Sequence, residues 1–266
     1  MNVNCSSSLV HFSYFWNAVR TWKNEHFEYH GQCDLMLAKD PDFADGLGIE
    51  IEIRTKLVRF WSYIKSAAIR IGDDILEVQG SDDPEVGVAK YWMNLEYQGP
   101  VKTLGGFPVN LSMRSEKKRK FVIDLHSKFP GERIEISSYR EFVKVDFINS
   151  SEASFGNAVG MLGDFKTGKT LGRDGNEVNN FYKLGAEWQV QPNENMLFKK
   201  AEDPQFPKAC VVPEDPQGDR HRRLDEQSIT GDQAEAACSR LRNPLDRKDC
   251  VYDILATQDL DMVGAF

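Results

Sequence analysis

The chain has 266 residues, 41% of them hydrophobic and 28% charged, enough apolar material for one large domain or one domain with a small appendage. Its formal net charge of −8 argues against a general nucleic-acid binder, because phosphate recognition is built from clustered Lys and Arg. No apolar run reaches the roughly 18 residues a membrane-crossing helix needs, and five cysteines without a Cys-x-x-Cys pair argue against zinc ribbons and thioredoxin chemistry.

Residues 1–19 carry an apolar stretch from Leu9 to Val19 with no basic residue before it and no clear small-residue cleavage site. The segment is leader-like without the full pattern of a signal peptide. From about Phe27 to Asn149 the pattern is short and alternating. In LGIEIEIRTKL, Ile49, Ile51 and Ile53 share one face and Glu50, Glu52 and Arg54 the other, the period-2 signature of a half-buried strand. KFVIDLHS, RIEISS and FVKVDF repeat it. Gly72-Asp73-Asp74, Gln98-Gly99-Pro100, Gly105-Gly106 and Pro130-Gly131 punctuate these runs as turns. Many strands at short intervals without intervening helical patterns predict an antiparallel β-sandwich or barrel-like domain.

GDFKTGKT, from Gly163 to Thr170, fits the nucleotide-loop pattern G-x-x-x-x-G-K-[ST], in which Lys169 and Thr170 would serve the phosphates and Mg²⁺. That chemistry needs a helix starting at the Lys. Gly172, Asp174-Gly175 and Asn179-Asn180 follow instead, so a turn-rich loop is predicted. The same loop carries Asp164, Asp174, Asn176 and Glu177 among glycines, hard oxygen donors of the kind Ca²⁺ takes, while Lys166 and Lys169 favour an ordinary solvated turn.

From Lys199 to about Ile229, Pro204, Pro207, Pro213 and Pro216 stand among dense charges, which reads as an extended linker. Its Arg220-His221-Arg222-Arg223 resembles a basic processing site but is better read as a solvated charge run. Thr230 to Gln233 has a capping-box pattern, followed by apolar residues at helical spacing. Asn243-Pro244 then marks the start of a second helix. A short connection makes the two helices antiparallel neighbours, which brings Cys238 and Cys250 within bridging reach.

The five histidines are scattered, and His26 and His30, about 13 Å apart on a strand, are too far apart to share a metal. Lys117-Lys118-Arg119-Lys120 reads as a charged hairpin tip rather than a heparin or nucleic-acid patch. Asn4, Asn110 and Asn149 head N-x-[ST] sequons and are candidate glycosylation sites if the chain is secreted.

WKNEHFEYHGQCDLML (Trp22 to Leu37), GMLGDF (Gly160 to Phe165) and Leu184-Gly-Ala-Glu-Trp188 occur in the order of three motifs of the von Willebrand factor type D family, which the chain resembles over about residues 20–198. The last of these resembles that family's closing strand, and the tail DCVYDILATQDLDMVGAF is similar to the region after such domains in stand-alone microalgal members. The resemblance implies a β-sandwich, residues 199–229 as linker and residues 230–266 as a helical extension stapled by Cys238 and Cys250. It implies a secreted or cell-surface, non-enzymatic module that binds other extracellular proteins, matrix or itself.

The resemblance also implies structural Ca²⁺ in the loop 163–180, with Asp164, Asp174 and Asn176 as the residues that carry over. It implies a Cys33 to Cys210 bridge, leaving Cys5 free or bridged to another chain. Three departures stand out: FWNA (Phe15 to Ala18) replaces the family's leading Gly-Asp-Pro-His segment, Met161 replaces a motif Cys, and Lys166 replaces an acidic residue. Two other expectations stay open, a nucleotide-binding loop through Lys169 and Thr170, and an intracellular β-sandwich with reduced cysteines.

Overall fold

A computed structural model describes residues 9–11, 18–58, 61–83, 87–191, 194–201, 210–213 and 228–266. Asn4, Cys5 and the Arg220 to Arg223 run lie outside them. Fourteen strands occur among the described residues: β1 (Leu9–His11), β2 (Ala18–Arg20), β3 (His26–Glu28), β4 (Asp34–Asp40), β5 (Ile49–Val58), β6 (Trp61–Ile71), β7 (Asp74–Gln79), β8 (Lys90–Met93), β9 (Glu96–Tyr97), β10 (Thr103–Leu104), β11 (Phe107–Ser115), β12 (Lys118–Asp124), β13 (Arg133–Tyr139) and β14 (Phe142–Ile148). They form three antiparallel sheets. The first has the order β1-β14-β13-β12-β11-β10, the second β4-β5-β6-β7-β8-β9, and β2 pairs with β3 alone.

The alternation predicted from sequence sets the register. Ile49, Ile51 and Ile53 lie opposite Ile71, Ile69 and Ala67, and Ile134 and Ile136 lie opposite Phe147 and Val145. These side chains from both large sheets are buried in one cluster with Leu35, Leu37, Phe121 and Ile123. Burial of aliphatic side chains at about 1.5 to 3 kcal/mol each is what holds the sheets face to face. Gly105 and Gly106 both take positive φ, 57° and 84°, in the tight turn joining β10 to β11, a backbone region that favours glycine.

Within the N-terminal segment, Leu9–His11 pairs along Ile148, Phe147 and Asp146 as an edge strand of the first sheet. One expectation is corrected, that of a closing strand at Leu184 to Trp188. Leu184 to Glu187 belong to the helix α3 (Phe181–Glu187), with Trp188 as its C-cap; α3 follows the short helical turns α1 (Phe43–Gly46) and α2 (Glu152–Phe155). The Asn180 side chain caps α3 by accepting from the Lys183 N–H, and Phe181, Leu184, Gly185 and Trp188 fall at helical spacing. Gly185 is pressed so close to the Tyr29 ring that a Cβ there would come within 2.3 Å of it.

Lys117 to Lys120 do lie at a hairpin, where β11 turns into β12, and are only partly exposed there. Arg119 donates to the Ala89 carbonyl and lies over the Tyr91 ring. Lys118 donates to the Ala265 carbonyl.

The chain ends in α4 (Gly231–Cys238), α5 (Pro244–Thr257) and a 3-10 turn at Leu260–Ala265. The capping box is formed, with Thr230 accepting from Gln233 N and Gln233 accepting from Thr230 N. Cys238 and Cys250 are bridged. The hairpin's apolar side, Ala234, Cys238, Cys250 and Ile254, packs on Trp61, Tyr63, Tyr139 and Phe142 of the body. A buried ion pair joins Arg20 to Asp249, and Arg140 pairs with Asp259 and Asp261.

Candidate functional site

The loop 163–180 was the sequence's main candidate. It follows a stretch laid along the open edge of β4: Val159 exchanges hydrogen bonds with Lys39, Met161 N donates to Met36 O, and Leu162 N donates to Leu37 O. Met161 and Leu162 are buried. Gly160, at φ 146°, has no room for a Cβ, which would lie 2.5 Å from Leu37 O. Trp22, the first residue of the sequence motif, donates from its indole nitrogen to Gly163 O and packs against Phe147, Phe155 and Phe165. The Trp22 and GMLGDF motifs, far apart in sequence, are therefore in direct contact.

Beyond Gly163 the chain folds back on itself. Asp164 N donates to Lys169 O and Gly168 N to Asp164 O, while the Asp164 carboxylate accepts from the Thr167 N–H and hydroxyl at 2.7 and 2.6 Å. Thr170 and Val178 exchange bonds, with Val178 N donating to Thr170 O and the Thr170 hydroxyl donating to Val178 O. Lys169 pairs with Glu177 at 2.8 Å. No helix starts at Lys169 and the next one begins only at Phe181, so the Lys and Thr of the nucleotide pattern serve a hairpin instead.

The far turn is closed in the same way. The Asp174 carboxylate accepts from the N–H and the side-chain amide of Asn176, which holds its pKa below the ordinary carboxylate value. Arg173 reaches over the Trp188 ring and forks onto Glu194 at 2.6 and 3.0 Å. The Trp188 indole donates to Leu171 O.

Asp164, Asp174 and Asn176 therefore each serve their own turn. Among the described residues no group of three or more His, Cys, Asp or Glu side chains is placed to hold a metal. Ca²⁺ wants six to eight oxygens gathered at one point. Here the carboxylates face N–H donors, and Lys166 occupies Asn157 Oδ1. The donor set as placed does not fit Ca²⁺.

Of the candidate glycosylation residues, Asn110 is exposed on β11. Asn149 is also exposed, but takes φ 60° and donates from its side-chain amide to Gly131 O. Cys33 is bridged to Cys210 across a sequence separation of 177. It anchors the start of β4, and its neighbour Gln32 exchanges backbone bonds with Val211.

Sequence reasoning missed one polar assembly. The face of β5 carrying Glu50, Glu52 and Arg54 was expected to meet water, yet all three are buried. The segment 194–201 straps across it, with Leu197 and Phe198 buried against Ala68. Glu77 Oε2 accepts from the N–H groups of Lys199, Lys200 and Ala201 at 3.1, 2.9 and 3.0 Å, and Glu52 accepts from Leu197 N. Arg54 forks onto Asp34 at 2.9 Å and lies over the Phe198 ring. Burial pushes Glu52 up to about 8, against the Leu197 N–H and with Asp34, Glu50 and Glu194 adding to the rise. The apolar run Met196-Leu197-Phe198 just before the proline-rich stretch was the one signal that could have revealed the strap.

No protein-family model matches the chain, and no curated protein gives a significant match to its sequence. Among the described residues no helix is long and apolar enough to cross a membrane. The two disulfides are compatible with an extracellular location.

Proposed function

We propose that this protein is a non-enzymatic interaction module of the von Willebrand factor type D kind, secreted or displayed at a cell surface, with a β-sandwich body and a disulfide-stapled helical extension. The observation that carries the reading is the Cys33 to Cys210 bridge, which fastens the motif-bearing strand β4 to the segment beyond the body, the pairing the family resemblance implied. The contact of Trp22 with Gly163 supports it by joining two of the three motifs. Partners are other extracellular proteins, matrix, or a second copy, engaged through exposed strand and loop surfaces. A structural role for Ca²⁺ in the loop 163–180 is not required by this reading.

The test is expression through a secretory route, followed by intact-mass analysis of the medium with and without reductant. Two bridges give a gain of about 4 Da on reduction. Retention inside the cell with all cysteines reduced would favour an intracellular β-rich module instead. Thermal unfolding in EDTA, in Ca²⁺ and in Mg²⁺-ATP separates the remaining readings, since a ligand that binds only the folded state raises the midpoint. We expect no rise with either. A rise with Ca²⁺ that Asp164→Ala abolishes would restore a metal loop, and a rise with ATP alone would restore the nucleotide reading.

A further inference from the structure

The outer face of the first sheet carries a cavity of about 430 Å³, closed on its other side by the start of α5 and the last residues of the chain. We propose that this cavity binds a compact tetrahedral oxyanion, the sulfate or phosphate group of an esterified sugar. The inference is independent of the family reading above.

The cations come from β11, β12 and β14, with β13 lying between the last two. Arg114 on β11, Lys118 and Lys120 on β12, and Lys144 on β14 all line the cavity. Its acidic members are Glu135, Asp146 and Asp246. Glu135 is held by Lys120 and also by Arg133, and Asp146 lies 3.4 Å from Lys144. The Glu135 and Asp146 carboxylates are thus matched within the sheet, and with Asp246 set against Arg114 and Lys118 the lining side chains keep a surplus of one positive charge. Lys118 is also turned inward, donating to the Ala265 and Gly264 carbonyls, which are neutral acceptors.

The surplus is visible in Lys118 itself. Its pKa falls to about 8 because burial strips its hydration, with Lys144, Lys120 and Arg114 adding repulsion and only Asp146 opposing. A bound oxyanion opposes that local repulsion and favours the protonated form of Lys118. An oxyanion also matches the donors available, since a guanidinium and ammonium groups around one concave point give charge-assisted hydrogen bonds to several oxygens at once. The remaining lining groups include the Ser137 and Asn243 side chains, which suit the hydroxyls of a sugar.

Calorimetric titration of the full chain at low salt tests this, using inorganic sulfate, inorganic phosphate, glucosamine 6-sulfate and glucosamine 6-phosphate as probes. We expect saturable one-to-one binding of at least one sugar ester, weakened about tenfold or more in Arg114→Ala and in Lys120→Gln. Lys102→Ala, a cation outside the cavity, leaves it unchanged. Preference for the sulfate ester or the phosphate ester identifies the source of the anion. Sulfate does not titrate near neutrality, so its binding isolates the protein's proton. Affinity for it falls between pH 7 and pH 9 as Lys118 loses its proton, and binding near pH 8 takes up protons from buffer. Equal melting midpoints of the variants exclude unfolding as the cause. Absence of saturable binding of all four probes to about 10 mM, or equal binding by wild type and Arg114→Ala, overturns the proposal.

Discussion

Replacing Glu77 by Ala isolates the clasp that holds the strap to the second sheet. Glu77 is 1% exposed, and one of its oxygens accepts the N–H groups of Lys199, Lys200 and Ala201. Truncation strands three donors where the strap covers the sheet. At roughly 1 kcal/mol for each stranded donor the cost is about 3 kcal/mol. Relief of the carboxylate's own desolvation offsets part of it, leaving a net loss of about 2 kcal/mol. Glu77→Gln keeps an acceptor oxygen without the charge and should lose about 1 kcal/mol. Urea unfolding reads the global term, and amide exchange reads the local one. The expected signature is loss of protection at Leu197 to Ala201 in Glu77→Ala, partial loss in Glu77→Gln, and unchanged protection in β13 and β14. If the amides of residues 199–201 exchange at wild-type rates in Glu77→Ala, the carboxylate is not what holds the strap.

The strap should also respond to pH. Glu52 is raised to about 8 in the folded state from an ordinary 4.5, so the folded protein binds its proton more tightly than the unfolded chain. The resulting stabilisation is fully present below pH 4.5 and is lost as pH rises through 8; urea unfolding across that window should show it, and Glu52→Gln should flatten the slope. Breaking the 12-residue loop closed by Cys238 and Cys250 with paired Ser substitutions should cost about 3 kcal/mol. Amide exchange should then rise first in α4 and α5. Trp188→Phe removes the indole bond to Leu171 O and weakens the Arg173 stack, for a loss of about 1 to 2 kcal/mol by urea unfolding. Retained stability would mean that this bond contributes nothing net.

The strands were legible where one face of a segment is apolar and the other polar. β5 and β12 to β14 fall on the alternating runs because strand period and burial coincide there. The capping box at Thr230 and the proline at position 244 marked both C-terminal helices, because caps are local chemistry. What escaped was long-range polar pairing. Glu50, Glu52 and Arg54 read as a wet face, since nothing nearby in sequence announces a covering segment, and Lys199 N meets Glu77 across a sequence separation of 122. The strand expectation for Leu184 to Trp188 came from its resemblance to a family motif, and five residues are too few for their own pattern to decide between strand and helix. Asn180 as cap and the contact of Gly185 with Tyr29 decide for the helix. In the loop 163–180 the hydrogen-bonding residue types were visible in sequence, but not that their oxygens would turn inward to their own backbone.

The Cys33 to Cys210 bridge also changes how the molecule carries mechanical load. Tension applied between a point before Cys33 and a point after Cys210 runs through the sulfur–sulfur bond and bypasses the chain between them, a separation of 177 positions. Most of both large sheets lies inside that shielded ring, so pulling cannot unzip their strands while the bond is intact. The exceptions are β1, which can be stripped from the edge of β14, and the β2-β3 ribbon. Downstream, α4 and α5 can be peeled from Trp61 and Tyr139. Their own crosslink limits the extension that peeling yields, so a stretched molecule would lengthen in small steps at its two ends while its core keeps its shape.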